Sequence, residues 1–147
     1  TPLLPMLRSI HSQLAPKAAD KGLYLQLNDT ETTAELSAVC DAKWTAEAVC
    51  NLIDNAIKYT AQGGITISIT AYELFARIDI ADSGIGIAEE EHAKIFSRFY
   101  RSQDAQDKEG VGIGLYLARE IVNGEGGYIK VTSSIGNGAV FSVFLPK

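Results

Sequence analysis

The stretch CNLIDNAIKYT, Cys50 to Thr60, has the apolar spacing of a helix, yet it carries two asparagines four residues apart and a lysine three further on. At about 100° per residue along 43–60, Glu47, Asn51, Asn55 and Lys58 fall within roughly an 80° stripe. Val49, Cys50, Leu52, Ile53, Ala56 and Ile57 fall on the other side and form a candidate core face. A polar stripe on an amphipathic helix is ordinarily a solvated face. A solvated face favours Glu, Lys, Gln and Arg, however, and asparagine competes with the helix for backbone hydrogen bonds. Amide carbonyls and an ammonium on one face can instead coordinate a hard cation and its anionic ligand. The stretch alone leaves both readings open.

The flanking sequence gives the helix its setting. LLPMLRSIHSQLAPKAADKG has apolar residues at Leu3, Leu7, Ile10 and Leu14, which predicts a first helix that Pro16 kinks or thins and Gly22 ends. LYLQLN alternates and predicts a strand, and ELSAVC reads as a second short one. GGITISITAYE and LFARIDIADSG predict two strands with a turn near Tyr72 to Leu74. Residues 88–99 read as a short helix and an aromatic turn, and RSQDAQDKEG as a polar, mobile loop. VGIGLYLAREIVNGEGG reads as a helix stopped by glycines, and YIKVTSS and GAVFSVFLP as a closing hairpin around IGNG. The order predicts an α+β two-layer sandwich, a mixed β-sheet with helices packed on one face.

The bulk numbers narrow the function classes. The chain has 147 residues, 46% hydrophobic and 21% charged, enough for one domain with a real core. A formal net charge of −5 argues against a broad nucleic-acid surface. Cys40 and Cys50 form no metal-like cluster and read as buried reduced thiols. No apolar run reaches the roughly 18 residues of a membrane span, and no signal peptide opens the chain, so an intracellular setting is expected. Thr1 opens the chain without Met, which suggests a piece of a longer protein.

Three further motifs bear on chemistry. In DIADSGIGIAEEE, a strand ends in Asp82 and runs into Ser83-Gly84-Ile85-Gly86-Ile87. Such a carboxylate can accept a hydrogen bond from an exocyclic amine, while glycines let backbone approach a flat ligand; the run is also compatible with an ordinary turn. In GVGIGLYLARE, Gly110, Gly112 and Gly114 lead into a helix and can cradle a phosphate with free N–H groups and the helix dipole, although alone the run is also compatible with a loop that simply needs positive φ. A Rossmann turn is excluded, because the run does not directly follow a strand and repeating βαβ units are missing. In KIFSRFYRS, Phe96 and Phe99 read either as core or as a docking surface, beside Arg98 and Arg101.

Together, in this order, these features resemble the catalytic and ATP-binding domain of sensor histidine kinases, of the GHKL ATPase superfamily with the Bergerat fold. NLIDNAIKYT resembles the N box, DSGIGI the G1 box, IFSRFYR the F box and GVGIGL the G2 box; VCDAKWTAEAVCNLIDNAIKYT and SSIGNGAVFSVFLP also match the family pattern. The resemblance covers essentially all of residues 1–147 as a single ATP-binding catalytic domain. It implies Mg-ATP as ligand. Asp82 would receive the adenine amino group, Tyr59 would pack beside the base, and Gly84, Gly86 and Ile87 would shape the pocket. Lys58 would reach toward phosphate, Asn55 would offer its oxygen to Mg²⁺, and Asn51 would support metal and phosphates; these three are the implied catalytic residues. Gly110, Val111, Gly112, Ile113, Gly114 and Leu115 would wrap the phosphates, with Arg101 and Lys108 as the cations of an ATP lid.

The resemblance also bears on the reaction. ATP-hydrolysing members of the superfamily, such as gyrase B and the MutL and Hsp90 families, carry a glutamate base one turn before the metal-binding asparagine. Here that place is Asn51, which cannot act as a base, and Glu47 lies a turn too early. Hydrolysis is therefore disfavoured and phosphoryl transfer to an external acceptor favoured, by positioning and charge stabilisation. The implied acceptor is a histidine on a separate dimerisation domain, with a response regulator downstream. His11 and His92 lack the acceptor context and read as surface residues. The resemblance implies a domain facing the cytoplasm, without direct membrane insertion, in a parent anchored in the cell membrane. Two alternatives stand beside it: a GHKL serine kinase of the anti-sigma-factor type, and a degenerate nucleotide-binding module serving protein interaction.

Overall fold

The computed structural model describes residues 1–28, 36–86, 95–96, 114–133, 136 and 138–147. Helix α1 runs Leu3–Asp20, strand β1 Tyr24–Asn28 and helix α2 Ala42–Tyr59. Strands β2 (Gly64–Ala71) and β3 (Phe75–Asp82) follow, then helix α3 (Gly114–Gly124) and strands β4 (Tyr128–Ser133) and β5 (Ala139–Pro146). The five strands form one mixed sheet in the order β1-β2-β3-β5-β4, parallel between β1 and β2 and antiparallel elsewhere.

Register explains why one face attracts the helices. Ile67 stands opposite Ile80, Ile69 opposite Ile78, and Ile78 and Ile80 in turn opposite Val143 and Phe141. Strand side chains alternate between faces, so these residues line one side together. Leu25 and Leu27 extend that side on β1, and Ile129 and Val131 on β4. Val49, Leu52, Ile53 and Ile57 of α2 are buried in the same core. Each such side chain contributes about 1.5–3 kcal/mol on burial, which holds α2 on the sheet. On the opposite face polar residues of β3 and β5 pair with one another. Arg77 donates to Asp79 at 2.9 Å, and Ser142 donates to the same carboxylate at 2.6 Å.

Helix α2 begins at Asp41, whose side chain accepts the Trp44 N–H at 3.0 Å. The capping region is tied to the turn after α3: the Glu125 carboxylate accepts the wholly buried Thr45 hydroxyl at 2.6 Å and the Asp41 N–H at 3.3 Å. The helix ends where Thr60 becomes extended. Two of its last carbonyls, of Ile57 and Lys58, accept hydrogen bonds from Lys21 Nζ at 2.7 and 2.8 Å. This satisfies acceptors that a helix C-terminus otherwise leaves open.

Several expectations need correction. ELSAVC is not a second strand: Ser37 forms an isolated bridge with Pro2, flanked by bonds from Leu3 N to Leu36 O and Ala38 N to Thr1 O. Its partner is the N-terminal segment rather than the sheet, so the alternation extends no ladder. Helix α1, with Pro16 inside it, does end just before Gly22 as expected, where φ of +78° favours glycine. His11 is half-buried rather than on the open surface, with Nε2 2.7 Å from the Leu25 carbonyl. Cys40 and Cys50 are free but only half-buried. Cys50 opens on a cleft of about 540 Å³ between α1 and α2, where burial, aided by Glu47 and Asp54, pushes its thiol pKa up. The short helix read at 88–99 and the loop at 101–110 lie outside the described residues, apart from Ile95 and Phe96.

Candidate functional site

The site is built where the C-terminal half of α2 meets the end of β3. Asn51, Asn55, Lys58 and Tyr59 are all half-buried on α2, between its core face and solvent. Nδ2 of Asn51 is fully buried and has no partner among the described residues. Beside it begins α3, where a Cβ added at Gly114 would come 3.9 Å from Asn51 Cβ. The start of α3, with the partial positive charge of a helix N-terminus, therefore lies beside Asn51. A buried amide donor and a helix N-terminus at one place suit an anion.

Strand β3 delivers Asp82 to the same end of the fold. Its Oδ1 accepts the Gly84 N–H at 2.9 Å and the Ala139 N–H at 3.2 Å. Burial pushes the Asp82 carboxyl above its usual range, and those two hydrogen bonds partly offset the shift. With Oδ1 engaged by backbone, Oδ2 is the carboxylate oxygen without a hydrogen bond among the described residues.

Gly84 joins the two elements. A Cβ there would lie 2.5 Å from the Tyr59 carbonyl oxygen, 3.0 Å from Thr60 Oγ1 and 3.1 Å from Asp82 Oδ1. No larger residue fits, so the glycine lets the turn after β3 sit directly on the end of α2. Thr60 is wholly buried, and its hydroxyl has no partner among the described residues. Sequence reasoning missed this residue. The available signal was its place as the polar residue that follows the last turn of α2.

The structure thus brings Asn51 together with Gly114, and Tyr59 with Gly84 and Asp82. Gly86 has φ +75°, and Leu115 is half-buried in the first turn of α3. Phe96 is core: it is buried and meets Phe141 edge-on, with ring centroids 6.2 Å apart. The Arg119 guanidinium lies over its ring at 5.7 Å. Ile87, Arg101, Lys108, Gly110, Val111, Gly112 and Ile113 lie outside the described residues, as do Arg98, Phe99 and His92.

An α+β sheet with a buried amide donor beside a helix N-terminus fits an anion-binding class of protein, and comparison with known proteins gives the family. The profile of the histidine kinase-, DNA gyrase B- and HSP90-like ATPases matches residues 40–147, and the chain belongs to that family. It is 34% identical over 168 residues to the adaptive-response sensory kinase SasA of Crocosphaera subtropica, covering 99% of this chain and 44% of that protein. It is 35% identical over 147 residues to the sensor protein kinase PmrB of Pseudomonas aeruginosa, covering 99% of this chain and 30% of that protein. The chain therefore spans less than half the length of these relatives. Among solved structures, the catalytic domain of the histidine kinase ThkA, in a nucleotide-free form, superposes with a TM-score of 0.82 at 26% identity, covering 99% of this chain and 95% of that one. Full-length ShkA in complex with AMPPNP gives 0.81 at 27% identity, covering 97% and 29%. No helix of the described residues is long and apolar enough to cross a membrane.

Proposed function

We propose that this domain binds Mg-ATP and supplies the γ-phosphoryl group to a histidine on a separate dimerisation domain, the ATP-dependent step of two-component signal transduction. The observation that carries the reading is the junction at Gly84, which seats the Asp82 carboxylate on the end of the helix bearing Asn51, Asn55 and Lys58. One wall then takes the base and the other the phosphates.

Asp82 accepts the adenine amino group through Oδ2, and Tyr59 packs beside the ring. Gly84, Gly86 and Ile87 shape that end of the pocket. Lys58 meets phosphate, and the buried Asn51 amide donates to it. The run from Gly110 to Leu115 wraps the phosphates, and Arg101 and Lys108 act from the lid. Asn55 is the protein ligand for Mg²⁺. The half-buried Asn55 amide would offer that ion one hard oxygen donor. Magnesium usually keeps several waters and takes few protein ligands, with substrate phosphates completing the shell. When bound, the ion neutralises phosphate charge. Asn51 cannot take a proton from water, so the phosphoryl group waits for an external acceptor. His11 is engaged with a backbone carbonyl within this domain, which fits an acceptor histidine elsewhere. A response regulator follows as the next recipient. The domain works on the cytoplasmic side, in a parent anchored in the membrane.

The test is incubation with γ-labelled ATP and an isolated histidine-bearing dimerisation domain. Acid-labile, alkali-stable label on that domain is expected. Acid-stable label on a serine protein would favour the serine-kinase reading instead, and absence of any ATP-analogue binding would favour the interaction module.

A further inference from the structure

A charged cluster beside Lys58 has no part in the roles assigned so far. Asp54 lies one turn before Lys58 on α2, and its Oδ2 is 3.6 Å from Lys58 Nζ. Its other oxygen accepts a hydrogen bond from Lys17 of α1. One turn further, at the C-cap of α1, Lys21 donates to the carbonyls of Ile57 and Lys58. Helix α1 therefore grips the Lys58 turn twice, by its backbone through Lys21 and by its charge balance through Lys17.

We propose that Lys17 is a positioning residue for nucleotide binding, acting through Asp54 to leave the Lys58 ammonium available to phosphate. The proposal rests on the reading that Lys58 meets phosphate. Asp54 is the only carboxylate one turn before Lys58 on α2, and i,i+4 pairs of opposite charge attract. Unopposed, it draws Lys58 back along the helix and sets a bare negative charge beside a polyanion. Lys17 meets that carboxylate from the neighbouring helix, so Lys58 can turn to the ligand without leaving Asp54 unpaired. The Lys58 side chain is 34% exposed and so remains free to reorient.

The test is a double-mutant cycle on the 147-residue chain, read by calorimetric titration with Mg-ATP and by competition with adenosine. Exposed pairs of this kind are weak, so K17M is expected to lower ATP affinity by about two- to fivefold and D54N to raise it by a similar factor. K17M added to D54N is expected to change nothing further, and adenosine affinity to stay constant throughout. Loss of ATP affinity by the same factor in both backgrounds would reduce Lys17 to one more distant positive charge and overturn the proposal. An equal loss for adenosine would mark a structural role and also overturn it. K58M keeping full ATP affinity would remove the phosphate role of Lys58, and the proposal with it. K58M losing affinity while K17M and D54N are silent would overturn the positioning role alone.

Discussion

Replacing Asp82 with asparagine should exchange ligand preference for fold stability. In the native chain Oδ1 accepts the Gly84 and Ala139 N–H groups at 2.9 and 3.2 Å. An asparagine keeps both bonds only with its carbonyl oxygen in that place, which turns its NH₂ toward the ligand where Oδ2 stood. Adenine then meets a donor with a donor. Losing a hydrogen bond to a charged acceptor removes about 1.5–3 kcal/mol, so ATP affinity should fall roughly 10- to 100-fold. A 6-oxo purine presents an acceptor at the same position, and inosine triphosphate should gain relative to ATP. Stability should move the other way. Burial holds the Asp82 carboxyl above its usual range, so the folded state binds the proton more readily than the unfolded chain. Stability then falls as pH rises through the window between the usual carboxylate range and the raised value. D82N should therefore melt higher than wild type above that window, by about 2–4 °C for each kcal/mol relieved in a chain of this size. The difference should shrink as pH falls through the window. Calorimetric titration with both triphosphates and melting curves across pH test the two halves. Unchanged ATP affinity with no shift toward inosine triphosphate would refute the role of Oδ2.

Gly84→Ala forces a Cβ to within 2.5 Å of the Tyr59 carbonyl, a backbone atom that cannot step aside. It should lose about 1–3 kcal/mol in denaturant unfolding and most nucleotide binding, and a silent change would contradict the close seating of the turn. Glu125→Ala strips the buried Thr45 hydroxyl of its acceptor; a loss of about 1–3 kcal/mol is expected, read by urea midpoint. Leu52→Ala opens the wholly buried face of α2 and should destabilise by about 2–5 kcal/mol while leaving the preference for ATP over inosine triphosphate unchanged.

Much of the fold follows from local pattern. The alternation of ITISITA and FARIDIA and the helical spacing of 43–60 match β2, β3 and α2 to within a residue or two. Pairing across distance was less legible. That β1 lies parallel to β2, and that Ser37 bridges to Pro2, depends on partners far along the chain. Alternation at 35–40 looked like a strand because it reports a residue's surroundings, not which segment supplies them. At the candidate site, residue type at fixed spacing made Asn51, Asn55, Lys58 and Asp82 visible as candidates. Thr60 and Asp54 were not, because their interest comes from contacts: one hydroxyl sealed behind Gly84, one carboxylate shared with another helix. Cys50 and His11 were misjudged for the same reason, since each sits at the border with α1 or β1 rather than on a face that α2 or α1 alone defines.

The most direct measurement is calorimetric titration of Mg-ATP into the wild-type chain and the N55A variant, with released phosphate followed in parallel. Saturable binding to wild type is expected, sharply weakened in N55A, with no turnover to phosphate when no acceptor is present. Equal binding by both proteins, or steady ATP hydrolysis by the chain alone, would contradict the assignment of the Asn51–Lys58 stripe.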